Sequence, residues 1–318
     1  MLPSYLSIMP KIIPLLVLLI MGYIFEKKKF ISHNTISEIK HFILNITLPA
    51  LLFTAFLDIE FKKEYLVIII FIILINLFML LLGKKLSPLI KKDDPYLKLM
   101  FTGFEMGMIG IPLFTAIHGL ENVKYIGIID IGHEIFIWFI LLGILFKLRR
   151  DSKEVSYIDL FKSFISSPVI IAILLGLLVN ISGLGLIKES NLLVLSFMES
   201  IEMIAGLTVP LILIIIGYEM KFKTKNLSIP LKIIGIRMIV LIPLALIINK
   251  FLFMQLLNLD NMYNLALFTM LIMPPPFIIP LFIKEKELET RKYVYNTLSL
   301  GTLISITIFI AATIMGLG

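Results

Sequence analysis

Leu271-Ile272-Met273-Pro274-Pro275-Pro276-Phe277 is a stretch that no regular helix accommodates, yet it lies inside a long apolar run at about residues 262–283. Proline removes a backbone donor and clashes with the carbonyl four residues earlier, at ~3 kcal/mol or more in a helix interior. Three in succession must break the helix. A second run, at about 97–118, is interrupted in a similar way by Gly103-Phe104-Glu105-Met106-Gly107-Met108-Ile109-Gly110-Ile111-Pro112-Leu113. The two interruptions match, because Pro112 and Pro274 are related by nearly the same offset as other landmarks of the chain.

The surroundings of these breaks are lipid-like. Of 318 residues, 59% are hydrophobic and 16% are charged, with a mean hydropathy of +1.02. Soluble domains run nearer ~45–50% and ~25%, so a soluble enzyme is excluded. A bilayer-spanning helix needs ~20 mostly apolar residues. Ten such runs are read at about 4–25, 36–57, 64–83, 97–118, 122–146, 168–184, 192–219, 229–249, 262–283 and 293–316. The expectation is an all-α polytopic membrane protein, one membrane domain over residues 1–318. The first run reads as a span rather than a removable leader, since Lys27–Lys29 follow it and Pro10, Lys11 and Pro14 interrupt it. Cysteine is absent, which excludes disulfides and thiolate metal sites.

The net charge of +7 is a topology signal rather than a nucleic-acid footprint. Lys and Arg in or beside the odd-numbered connections total 22, against five in the even-numbered ones. Positive residues favour the cytoplasmic side, so both termini are expected outside. The chain also repeats itself. Leu48-Pro49-Ala50-Leu51-Leu52 and Asp58-Ile59-Glu60-Phe61-Lys62 precede Val209-Pro210-Leu211-Ile212-Leu213 and Glu219-Met220-Lys221-Phe222-Lys223 by 161 positions. Repeats of five spans each, about 1–150 and 160–318, must be inverted relative to each other. Inverted repeats with interrupted helices at matching places are a recurring transporter design, with substrate held near mid-membrane. Helices four and nine are therefore expected to be broken and crossed.

A broken helix exposes amides at one cut end and carbonyls at the other, and free amides at a helix N-terminus hold carboxylates. Gly107, Gly110, Ile111 and Pro112 on the fourth span, Pro274, Pro275 and Pro276 on the ninth, and Asn45 on the second are the candidate substrate contacts. Such a site needs no buried arginine, and Arg237 reads as snorkelling toward a helix end. Ionisable residues within the bilayer usually mark ion or proton paths, which makes Glu105, Glu134 and Glu202 candidates for a coupling proton or sodium. Asp130 and His133 accompany Glu134 on the fifth span. His133-Glu134 lacks a second histidine at 137, so the zinc-protease pattern fails, and no phosphate-binding loop occurs. No catalytic residue, metal site, cofactor or nucleic-acid partner is expected.

Gly107-Met108-Ile109-Gly110-Ile111-Pro112-Leu113 resembles the G-F-x-G-x-P-L stretch of the auxin efflux carrier family, in its bacterial and archaeal branch. Leu48–Phe53, Pro210–Gly217 and Arg237 with Pro243 add to the resemblance, which spans nearly the whole chain. It implies ten helices in two inverted repeats and an elevator-type movement. It also implies a fold like that of sodium/bile-acid symporters, a homodimer in the cell membrane, and carboxylate substrates such as malate or malonate. Glu105 stands where the family commonly has asparagine, and Pro275 and Pro276 where it often has a small residue. Both departures count against the plant substrate, and an ionisable Glu105 favours coupling. The expected function is thus secondary transport of a small organic anion. The rival is a cation/proton exchanger of the same crossed-helix design.

Overall fold

The computed structural model describes residues 4–315 apart from 58, 61, 93, 150–156, 183–191, 221–226 and 285. The described residues form helices and no strand. These are α1 (Ser4–Lys27), α2 (His33–Leu57), α3 (Glu64–Ile90), α4 (Ile111–His118), α5 (Leu120–Leu148), α6 (Tyr157–Ile165), α7 (Pro168–Ser182), α8 (Leu192–Glu219), α9 (Ser228–Leu256), α10 (Asn261–Ile272) and α11 (Leu288–Ile314). Among the described residues, eight helical segments are long and apolar enough to cross a membrane, one of them Leu97–His118, which ends in α4; they are nine if α6 and α7 form one bent span, and α10 is a shorter apolar helix. The landmarks Asp58, Phe61, Lys221, Phe222 and Lys223 of the expected repeat lie outside the described residues.

α3 shows why these helices belong in lipid. Leu66, Ile70, Leu74, Phe78 and Leu81 form one exposed stripe at helical spacing, while Ile68, Ile72, Ile75, Met79 and Gly83 are buried. A helix apolar on both faces is stable only where its outer face meets apolar surroundings.

The chain divides into two compact units, each drawing on both halves of the sequence. The first comprises Met1–Lys62, Gly107–Gly127 and Ser163–Met220. Its tightest packing is between α1 and α8. A Cβ at Gly22 would lie 2.0 Å from the Ile214 carbonyl oxygen, and one at Gly217 would lie 2.0 Å from that of Leu19. Only glycine permits this backbone approach.

The second unit comprises Lys63–Met106, Ile128–Lys162 and Lys221–Gly318. Phe101, Phe104, Phe136, Phe253 and Phe309 are buried in it. It contains two stretches of irregular backbone. One runs from Thr102 to Glu105, after a 3-10 turn at Leu97–Phe101 and before a π-helical turn at Met106–Gly110 that leads into α4. The other runs from Met273 to Pro276 between α10 and a 3-10 turn at Ile279–Phe282. The second break falls on the three prolines. The first lies upstream of where Pro112 suggested it: Pro112 is the second residue of α4, directly after the wide π turn, where a missing backbone donor is absorbed.

Candidate functional site

Helices leave carbonyls unpaired at their C-terminal ends and amides at their N-terminal ends. A break inside a span adds such groups where water is scarce. In the second unit, side chains from four helices take up the freed groups.

Arg237 of α9 does most of this. Its guanidinium donates to the carbonyls of Phe101 (2.6 Å) and Met100 (3.3 Å) through Nη1, and to those of Gly103 (2.9 Å) and Met273 (3.0 Å) through Nη2. It also lies 5.0 Å from the centre of the Phe104 ring. The residue is 1% exposed. The snorkelling arginine expected from sequence is therefore a buried one, and its planar fork reaches carbonyls of both unwound segments. Position along the run misled the sequence reading. Carbonyls freed by two distant breaks outweigh the pull of the interface.

The amides of the first break are held just as specifically. Gly103 N–H donates to Asn76 Oδ1 (3.0 Å), and Thr102 Oγ1 donates to the Asn76 carbonyl (2.7 Å). Phe104 N–H donates to His133 Nε2 (3.0 Å), and Glu105 N–H to the Pro274 carbonyl (2.9 Å). The Glu105 carboxylate then accepts from Phe277 N–H at 2.7 Å. On α10, the Ile272 carbonyl accepts from Ser305 Oγ of α11 (2.5 Å). The two breaks thus meet through Glu105. Gly103 makes the approach possible: its φ is +70°, and a Cβ there would come within 2.4 Å of Pro276 Cγ.

Non-helical backbone inside apolar helices is tolerated only where it is buried in protein or lines a cavity, and here side chains and the facing break pair the freed carbonyls and amides. The sequence matches the model of the membrane transport protein family, the auxin efflux carriers, over residues 7–312. The chain belongs to that family. It is a family of membrane transporters rather than enzymes, and transmembrane transport accords with the apolar helices. Among curated proteins, none matches the chain.

The candidates named from sequence are distributed unevenly. Pro274, Pro275 and Pro276 are buried in the second break, and Glu105 bridges it to the first. Glu134 of α5 is half-buried and accepts from Trp138 Nε1 at 2.9 Å. Gly107, Gly110, Ile111 and Pro112 belong to the first unit, in the π turn and α4, and the last three are buried. Asn45 is exposed and donates to the His41 carbonyl of its own helix at 2.7 Å. Glu202 is an exposed residue of α8. Sequence reasoning missed Asn76 and the bond from Phe104 to His133. Asn76 carried a signal, as a lone amide in the apolar core of α3. The His133 bond carried none, because its partner is 29 residues away on irregular backbone.

Proposed function

We propose that this transporter moves small organic anions such as malate or malonate by secondary, elevator-type alternating access, with a proton or sodium as coupling ion. Arg237 carries the reading. Its guanidinium is buried, and among the described residues its polar partners are neutral carbonyls, with no carboxylate in ion-pair range. A buried charge without a counter-charge is costly. A substrate carboxylate arriving at the breaks would supply that counter-charge.

Pro274–Pro276 are the proposed substrate contacts of the second unit, with Glu105 and Glu134 as coupling groups. Gly107, Gly110, Ile111, Pro112 and Asn45 are proposed substrate contacts of the first unit, and Glu202 a coupling group there, on sequence grounds alone. Ten spans in two inverted repeats, a homodimer and a cell-membrane location with both termini outside complete the proposal, from the repeat, the loop charges and the family resemblance.

Asp130 and Glu134 beside His133 favour a second reading, cation/proton exchange on the same design. Thermal unfolding of the purified protein against carboxylates and against sodium separates the two. A ligand at about 100 times its Kd stabilises the folded form by about 2.7 kcal/mol. Stabilisation by a carboxylate supports anion transport, whereas stabilisation by sodium chloride alone, with none by any carboxylate, selects the exchanger.

A further inference from the structure

Asp130, His133 and Glu134 share one face of α5 in the second unit, and Asp130 and His133 are 4% and 2% exposed. Their hydrogen bonds fix the imidazole tautomer. A backbone N–H can only donate, so His133 Nε2, which receives the Phe104 N–H at 3.0 Å, must hold a lone pair. The ring proton then sits on Nδ1, which faces Asp130 Oδ1 at 3.1 Å and Glu134 Oε1 at 4.0 Å. The imidazole is neutral, with its one basic nitrogen turned toward the unwound segment.

One ligand atom from each of the three residues lies within 4.8 Å of the others, a spacing that a metal ion could use. The hydrogen bonds argue against one. A metal on Nδ1 would move the ring proton to Nε2, where it would oppose the Phe104 N–H. A proton suits the cluster better. Two carboxylates flank the ring, so an imidazolium is compensated on the Nδ1 side. The other charges acting on the ring are Glu105 from the unwound segment and Arg237 from α9, which are opposite in sign. α3, packed against Gly132, presents Ile69 and Ile72 there.

We propose that Asp130, His133 and Glu134 form a proton-binding site, and that a proton held at His133 Nε2 releases the Phe104 N–H and so acts on the first break. The step is simple. A proton from water adds to the Nε2 lone pair, the Phe104 N–H loses its acceptor, and Nδ1–H stays on Asp130. Phe104 lies between Gly103, held by Asn76 and Arg237, and Glu105, held by Pro274 and Phe277. Freeing it loosens the middle of the segment that joins the two breaks. The proposal rests on the anion-transport reading only for the use to which such a proton is put.

Hydrogen exchange on the purified full-length chain tests this release without substrate. After correction for intrinsic exchange rates, protection over residues 102–106 should fall about tenfold as the pH drops from about 8 to about 4, a span wide enough to bracket the charging of a histidine. His133→Gln places an amide oxygen near the position of Nε2 and takes up no proton, so its protection should be independent of pH. Nitrogen-15 spectra of the histidines, of which the chain has four, follow the same event without a variant. His133 Nε2 should pass from lone pair to N–H as protection is lost. An Nε2 that stays unprotonated, protection flat with pH in the wild type, or an unchanged pH profile in His133→Gln overturns the proposal. So does stabilisation of the wild type, but not His133→Gln, by millimolar zinc or manganese, which would make the cluster a metal site. Absence of carboxylate uptake would count against the transport reading and leave these readouts unaffected.

Discussion

The carboxylate of Glu105 accepts the backbone N–H of Phe277 at 2.7 Å, across 172 residues of sequence. The same residue's N–H donates to the Pro274 carbonyl, so one side chain and its own backbone tie the two breaks together. Glu105→Gln keeps an acceptor and should unfold within about 1 kcal/mol of wild type. Glu105→Ala strands the Phe277 amide and should lose about 1–3 kcal/mol. Equal midpoints for the two variants in denaturation would contradict the assigned bond. If Glu105 couples a proton to transport, Glu105→Gln should also lose dependence of uptake on a pH gradient.

Gly103 is expected to be irreplaceable for two separate reasons, positive φ and contact with Pro276. Gly103→Ala should cost about 1–3 kcal/mol from the backbone conformation alone, and more from the clash. Gly143 and Gly235 provide controls, since a Cβ at either meets nothing within 4 Å and both lie in helices. Alanine there should be neutral or stabilising by up to about 1 kcal/mol. Thermal midpoints of the three variants in one detergent check the contrast.

Arg237→Met leaves the carbonyls of Met100, Phe101, Gly103 and Met273 without their donor. Leaving buried carbonyls without a donor in this way costs about 1–3 kcal/mol. Arg237→Lys should recover only part of it, because an ammonium on a flexible stem cannot reproduce a planar fork. Full recovery by lysine would argue that charge alone matters here.

Asp94 precedes the first broken span and is bound from several directions. Its carboxylate accepts from Tyr293 OH (2.9 Å), Thr290 Oγ1 (3.1 Å) and the N–H groups of Tyr96 (3.0 Å) and Leu97 (3.2 Å), and pairs with Lys91 at 2.9 Å. Asp94→Ala should therefore destabilise the second unit by about 1.5–3 kcal/mol, as read from urea midpoints. Glu289→Ala makes a fair comparison, because its pair with Lys292 is largely exposed and its loss should leave the midpoint unchanged.

Much of this was legible in the sequence because proline, glycine and apolar length act locally. Pro274–Pro276 mark their own break, and the lipid-facing stripe of α3 is visible as spacing. Pro112 was less informative, since a proline at the start of α4 after a π turn disturbs little, while the unwinding is set at Thr102–Glu105. Arg237, Asn76 and His133 could not be assigned from pattern. What each holds is backbone freed elsewhere in the chain, at separations of 26 to 137 residues for the bonds to the first break. A side chain's neighbours in sequence say nothing about a carbonyl released on another helix.

Uptake of labelled malate and malonate into proteoliposomes tests the central claim most directly. The account predicts saturable uptake above that of protein-free vesicles, competed by other small carboxylates and lost in an Arg237 variant that still folds. No uptake of any carboxylate, together with sodium or proton flux that needs none, would contradict it.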